Sequence, residues 1–151
     1  MRTDDLFDVE FGYWFNLANE RVYHRLDMAL NLVQLVGGSA AALSAMQGND
    51  TAVVASGFAL AVCAAVSLLV SPAVKSEQHR ATKAQWKALQ GRAHLLPEDE
   101  LRAASREIQG NGPSGITSLT VPAYNSTLRA TNQESGVRPL GWNETALAWL
   151  A

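Results

Sequence analysis

Charge is missing from two long stretches of this chain, and the two lie almost end to end. Every residue from Met28 to Asn49 is uncharged, as is every residue from Thr51 to Val74, with Asp50 alone between them. As helices they measure roughly 33 and 36 Å at the usual rise per residue. The hydrocarbon core of a bilayer is about 30 Å thick. The lack of charge over both lengths points to two membrane-spanning helices joined by the polar turn Gln47-Gly48-Asn49-Asp50. Cysteine is nearly absent too: Cys63, inside the second span, is the only one. That excludes an intrachain disulfide and a cysteine-built metal site. The start, Met1-Arg2-Thr3-Asp4-Asp5, is acidic rather than basic and no apolar core follows it for many residues, unlike a secretory signal. The first span is therefore expected to act as its own insertion signal. A net charge of −2 argues against nucleic acid as a partner. There is no phosphate-cradling glycine loop, no Gly-x-Ser-x-Gly and no His-Glu-x-x-His. His24, His79 and His94 have no ligand spacing with one another. The expectation is a protein that is not an enzyme, with no catalytic residue, metal or cofactor.

The charge that is present is segregated. Nearly all of it lies in residues 1–27 and 75–151. Arg21 and Arg25 precede the first span, and Lys75, Arg80, Lys83, Lys87 and Arg92 follow the second. The turn has neither lysine nor arginine, so the count is seven against none. Basic flanks resist translocation, which puts both termini in the cytoplasm and the turn outside the cytoplasmic (inner) membrane. The same residues can attract anionic headgroups. The competing architecture is a soluble four-helix bundle with two apolar central helices. The first span, rich in alanine, glycine and serine and carrying Asn31 and Gln34, keeps that alternative open.

The fold class read from this pattern is an all-α membrane protein. A two-helix transmembrane hairpin extends into a cytoplasmic helical stalk. Residues 1–27 form an amphipathic, aromatic-rich lead-in helix, with Asn16 or Asn19 as a cap. Residues 28–74 form the hairpin, with spans of about 28–46 and 52–74. Residues 75–151 form a cytoplasmic helical region with an irregular tail. Ser71-Pro72 is expected to kink the second helix rather than end it. Beyond it, His79, Thr82, Trp86, Leu89 and Ala93 share one helical face. That face packs antiparallel on the lead-in through Trp14 and Tyr23. A further helix begins at Pro97, led by Glu98, Asp99 and Glu100, and stops at Gly110-Asn111-Gly112-Pro113. Ile116 to Val121 reads as extended chain, Tyr124 to Asn132 as a short helix, and Trp142 to Leu150 as a last helix capped by Asn143.

Two sets of residues on the hairpin invite a functional reading. Asp27, Asn31, Gln34, Gly38, Ala41 and Ala45 recur at spacings of four and three, which is one helical face. Polar side chains in lipid must be paired or wetted, so this face meets protein or lines a path for water and ions. Gly37 on the first helix, and Gly57, Ala61 and Ala65 on the second, are small residues that allow close packing. The plainer account of both sets is helix–helix contact within one hairpin. Two helices alone leave most of each surface facing lipid, which favours assembly of several chains.

Arg21-Val22-Tyr23-His24-Arg25 running into an apolar hairpin, then His79, Arg80, Trp86 and Leu89 on the following helix, then Ala123-Tyr124-Asn125 with Leu128, resembles the SLATT group of bacterial two-span proteins. The likeness covers roughly residues 15–130. It implies a membrane effector: a separate sensor protein signals, the chains assemble or open, and the membrane leaks. The hairpin would be the pore element and the cytoplasmic helices the receiver. Two alternatives stand beside it. One is a phage holin-like lysis protein. The other is a membrane anchor or exclusion factor that makes no pore and recruits a partner through Trp142–Leu150.

Overall fold

The computed structural model describes residues 2–151. It is helical throughout, with no strand among the described residues: α1 (Arg2–Met46), α2 (Asp50–Val70), α3 (Pro72–Arg92), α4 (Glu98–Asn111), α5 (Thr120–Ala130) and α6 (Trp142–Leu150), with 3-10 turns at Thr117–Leu119 and Glu134–Gly136. The first 71 residues contain no proline, so nothing removes a backbone donor from the 45 residues of α1. All five prolines fall at or near helix ends, where a missing N–H costs little. The chain divides into two compact units. One is the apolar hairpin Tyr23–Val74; the other combines the chain up to Val22 with Lys75–Ala151. The boundary therefore falls inside α1, a few residues before the charge-free stretch begins.

In the second unit, α1 is the element the others pack on. α3 runs antiparallel to it. Glu10 accepts from Gln90 near one end, Lys83 pairs with Glu20 near the other, and Ser76 Oγ donates to the Glu20 carbonyl at 3.2 Å. The turn after α3 reverses the chain, so α4 runs parallel to α1. Asp5 takes a two-pronged hydrogen bond from Arg102 at 3.1 and 3.2 Å near the helix starts. Beyond the end of α4, Asn19 Oδ1 accepts from the Ile116 N–H at 2.7 Å. Val9, Trp86, Leu89, Ala93 and Leu101 form the core between these three helices, with Tyr13, Leu96, Ala104 and Ile108 packed against it. Each large apolar side chain buried there contributes about 1.5–3 kcal/mol. Another part of α1 meets α5, where Phe7 sets its ring edge-on to Tyr124 at 5.4 Å. Leu119, Pro122, Ala123, Thr127 and Leu128 are buried in that layer.

Several local expectations are corrected. Asn16 and Asn19 do not cap α1. They lie mid-helix and buried, and their amides donate to the carbonyls of Gly12 and Phe15 at 2.8 Å. Their tertiary partners outweigh asparagine's preference for helix ends. Ser71-Pro72 ends α2 rather than kinking it: Ser71 is left-handed at φ 49° and Pro72 opens a new helix. The ring of Pro72 disfavours helical backbone at Ser71, and proline's fixed φ suits a first helical position. Ile116–Val121 is not a strand. Only its first residue is extended before the 3-10 turn leads into α5, which starts at Thr120 rather than Tyr124. Asn143 does not cap α6. Gly141 holds that position, and its N–H donates to Glu144 Oε2 at 2.7 Å.

Candidate functional site

The hairpin is closed by a tight turn. Gly48 takes φ +68°, a conformation glycine adopts without strain, and Asn49 Oδ1 accepts from the Ala52 N–H to start α2. None of the residues of α2 is buried. Leu35, Phe58, Leu68 and Leu69 are each at least 70% exposed. Large apolar side chains in such number lie on the surface of a water-soluble domain only where something covers them.

Against this apolar surface, one end of the hairpin is polar. Asn31 Nδ2 donates to Asp27 Oδ2 at 3.1 Å. One turn further along α1, Gln34 Nε2 donates to Ser67 Oγ on α2 at 3.3 Å. With Ser71, Pro72, Ala73 and Val74 these four line a hollow of about 240 Å³. α2 ends one turn after Ser67, at the left-handed Ser71, and the residues that follow complete the lining. The rest of the stripe is divided. Gly38 and Ala41 are half-buried in the hairpin, whereas Asn31 and Ala45 are exposed.

The small residues are not used as their spacing suggests. Gly37 does face α2, where a Cβ would lie 3.1 Å from Leu60 Cδ2. Gly57, Ala61 and Ala65 instead lie on the exposed side of α2. The residues turned toward α1 are Ser56, Leu60, Cys63 and Ser67, all half-buried. Both faces of α2 repeat at helical spacing, so spacing alone does not choose between them. The contact is a large side chain seated over a glycine rather than small against small.

In the other unit, the stripe on α3 is buried throughout: His79, Thr82, Trp86, Leu89 and Ala93 are all at most 7% exposed. Trp86 lies against Gly12, where any Cβ would come within 2.4–2.7 Å of the indole. Trp14 does not join that face. It lines a separate hollow with Leu17, Pro122 and Arg138, and touches Tyr13 edge-on at 5.5 Å. Tyr23 is buried, on the hairpin side of the unit boundary. His79 Nδ1 lies 2.8 Å from Asn16 Oδ1. Burial pulls the His79 pKa below the ordinary histidine value and Lys75 adds to this, while a backbone hydrogen bond with Ser114 and the Glu20 carboxylate oppose it. The basic residues are partly occupied within the unit. Lys83 pairs with Glu20, Arg80 lies 3.6 Å from Glu77, and Lys87 lies 5.4 Å over the Tyr13 ring. Arg21 donates to the Ala151 backbone oxygen at 3.0 Å. No cluster of histidine, cysteine and carboxylates able to hold a metal occurs among the described residues.

These features define a class: an all-helical protein with two helices long and apolar enough to cross a membrane. No family model, curated protein or solved structure matches the chain.

Proposed function

We propose that the chain is a membrane-embedded homo-oligomer whose hairpin lines a path for ions or water, a pore-forming or membrane-perturbing effector controlled through its other helices. The observation that carries this reading is the polar end of the hairpin. Asp27, Asn31, Gln34 and Ser67 converge there on two helices otherwise covered by exposed apolar side chains. Hydrocarbon does not solvate an exposed Asp–Asn pair, so in a bilayer this face is covered by another chain or by water. The seven basic residues flanking the hairpin, against none in its turn, favour both termini in the cytoplasm. This is also the role that the SLATT-type resemblance implies, with a separate sensor protein as trigger.

The test is membrane potential and growth in bacteria after induced expression. The intact chain is compared with Asn31→Leu/Gln34→Leu at matched membrane levels. Depolarisation that the double substitution removes supports a path built on α1. Depolarisation that survives it refutes the lining assignment. A second reading has its own observation. Trp142 and Trp149, seven residues apart on one side of α6, are 87% and 81% exposed. An anchor that recruits a partner through α6 would show no depolarisation at any expression level, and its partner would be lost on Trp142→Ala/Trp149→Ala.

A further inference from the structure

A cleft of about 520 Å³ opens between α1 and α4, with α3 beneath it. Its volume lies within the roughly 300–1,000 Å³ usual for small-molecule sites. The walls are fixed independently of any occupant. The Asp5–Arg102 pair closes one end, and the Asn19–Ile116 hydrogen bond holds the chain that follows α4. Gly12 lets the Trp86 indole lie close against the backbone of α1. Phe11 and Phe15, stacked with centroids 5.8 Å apart and ring planes 21° from parallel, give the α1 wall a flat apolar surface.

The polar groups of the cleft fall into two sets. Asp5, Arg102, Asn16 and Thr82 are engaged. Arg102 binds Asp5 and Glu98, Asn16 binds the Gly12 carbonyl and His79, and Thr82 binds the Gln78 carbonyl. Asp8, Ser105, Arg106 and Gln109 also line the cleft, and none of their four side chains has a hydrogen-bond or ion-pair partner among the described residues. Asp8 is one turn along α1 from Asp5, and Arg106 one turn along α4 from Arg102. Because the two helices run in the same direction, Asp8 and Arg106 stand at similar levels on opposite walls. Partial desolvation at the cleft wall, then the neighbouring Asp5 and Asp4 carboxylates, raise the Asp8 pKa above the usual aspartate value. A cation beside Asp8 would relieve that repulsion.

We propose that this cleft binds a small zwitterionic molecule with a planar apolar body, its cationic group facing Asp8, its anionic group facing Arg106 and Gln109, and its ring against Phe11 and Phe15. A purely anionic ligand would place its charge opposite Asp8, and a purely cationic one would leave Arg106 unmatched while desolvating it. The site belongs to the unit outside the hairpin, and the proposal holds whether or not the hairpin conducts.

The test uses the full chain in detergent micelles with three probes: 4-(aminomethyl)benzoate, benzylamine and benzoate. Binding is followed through the Trp86 indole N–H resonance, assigned with Trp86→Phe. The zwitterion is expected to bind about fivefold tighter than either singly charged probe, the size of one charge-assisted contact at a partly exposed site. Asp8→Asn should weaken the zwitterion and benzylamine about fivefold and leave benzoate unchanged. Arg106→Gln should weaken the zwitterion and benzoate and leave benzylamine unchanged. Both side chains are exposed and unpaired, so the variants should keep the parent's circular dichroism and thermal midpoint. A Trp86 resonance that does not move with the zwitterion overturns the proposal. So does binding of equal strength for all three probes, or binding that neither variant alters, which would mark simple partition into the micelle.

Discussion

His79 Nδ1 donates to Asn16 Oδ1 across 2.8 Å, joining α3 to α1 where both side chains are buried. The direction of the bond follows from the amide: Asn16 Nδ2 already donates to the Gly12 carbonyl, which turns Oδ1 toward the ring. The ring therefore carries a proton on Nδ1. Burial lowers its pKa below the ordinary value, so on acidification the unfolded chain takes up a proton that the folded one refuses. Stability is therefore full above the ordinary histidine pKa and falls as pH drops below it. The thermal midpoint of the detergent-solubilised chain should be lower at pH 5.5 than at pH 7.5. His79→Gln should show a smaller drop, because the variant has no proton to take up there. An equal drop in both proteins would show that His79 does not govern the acid limb.

Gly12 is the position where the core of the α1–α3 contact tolerates no side chain. A Cβ would stand 2.4–2.7 Å from three ring carbons of Trp86, whose indole belongs to the same core cluster as Leu89 and Val9. Overpacking of this kind costs typically about 1–3 kcal/mol. Removing glycine from a helix interior returns about 1 kcal/mol. Gly12→Ala should therefore destabilise by up to about 2 kcal/mol. Gly91→Ala on α3, where a Cβ meets nothing within 4 Å, should stabilise by up to about 1 kcal/mol. Thermal unfolding of the two variants against the parent separates steric crowding from propensity by the opposite signs.

How far the sequence alone carried the fold depended on whether the deciding contacts were local. The missing charge from Met28 to Asn49 and from Thr51 to Val74 marked the hairpin, because it holds at every position of each stretch. The face His79, Thr82, Trp86, Leu89 and Ala93 was legible because periodicity along one helix is a local property. Asn16 and Asn19 were not. Their residue type speaks for helix ends, and the partners that override it, His79 and Ile116, lie 63 and 97 residues away. The cleft was hidden for the same reason: Asp8 and Arg106 share it only because α3 sends the chain back so that α4 lies beside α1. The phase of α2 was ambiguous in a different way. Gly57, Ala61 and Ala65 repeat as regularly as Ser56, Leu60, Cys63 and Ser67, and only the seating of Leu60 over Gly37 chose the second set.

That seating gives a test of the hairpin. Gly37 has Leu60 Cδ2 at 3.1 Å from where a Cβ would be, whereas nothing lies within 4 Å of a Cβ on Gly57. Gly37→Val should separate α1 from α2 and weaken the Gln34–Ser67 hydrogen bond three residues away. Gly57→Val should leave a single hairpin intact. Protease resistance of the reconstituted chain is expected to fall for the first variant alone. If Gly57→Val is the damaging one, α2 is rotated from the phase described.

Asn19 fixes the path of the chain between α4 and α5. It is fully buried, its Nδ2 donates to the Phe15 carbonyl, and its Oδ1 accepts from the Ile116 N–H at 2.7 Å. Gly115 makes the approach possible, since a Cβ there would meet Phe15 at 2.5 Å and Asn19 Nδ2 at 3.0 Å. Asn19→Leu would keep the volume and remove the acceptor, leaving a buried amide unpaired at a cost of about 1–3 kcal/mol. The loss should be local. Hydrogen exchange at the Ile116 amide should speed up several-fold more than at Leu89, and cleavage by a nonspecific protease should rise between Gly110 and Gly115. Should exchange accelerate evenly across the unit instead, Asn19 contributes to the core as a whole rather than to the anchoring of this segment. Asn19→Asp keeps the acceptor while adding a buried charge, so it should preserve slow exchange at Ile116 relative to Leu89 even as overall stability falls.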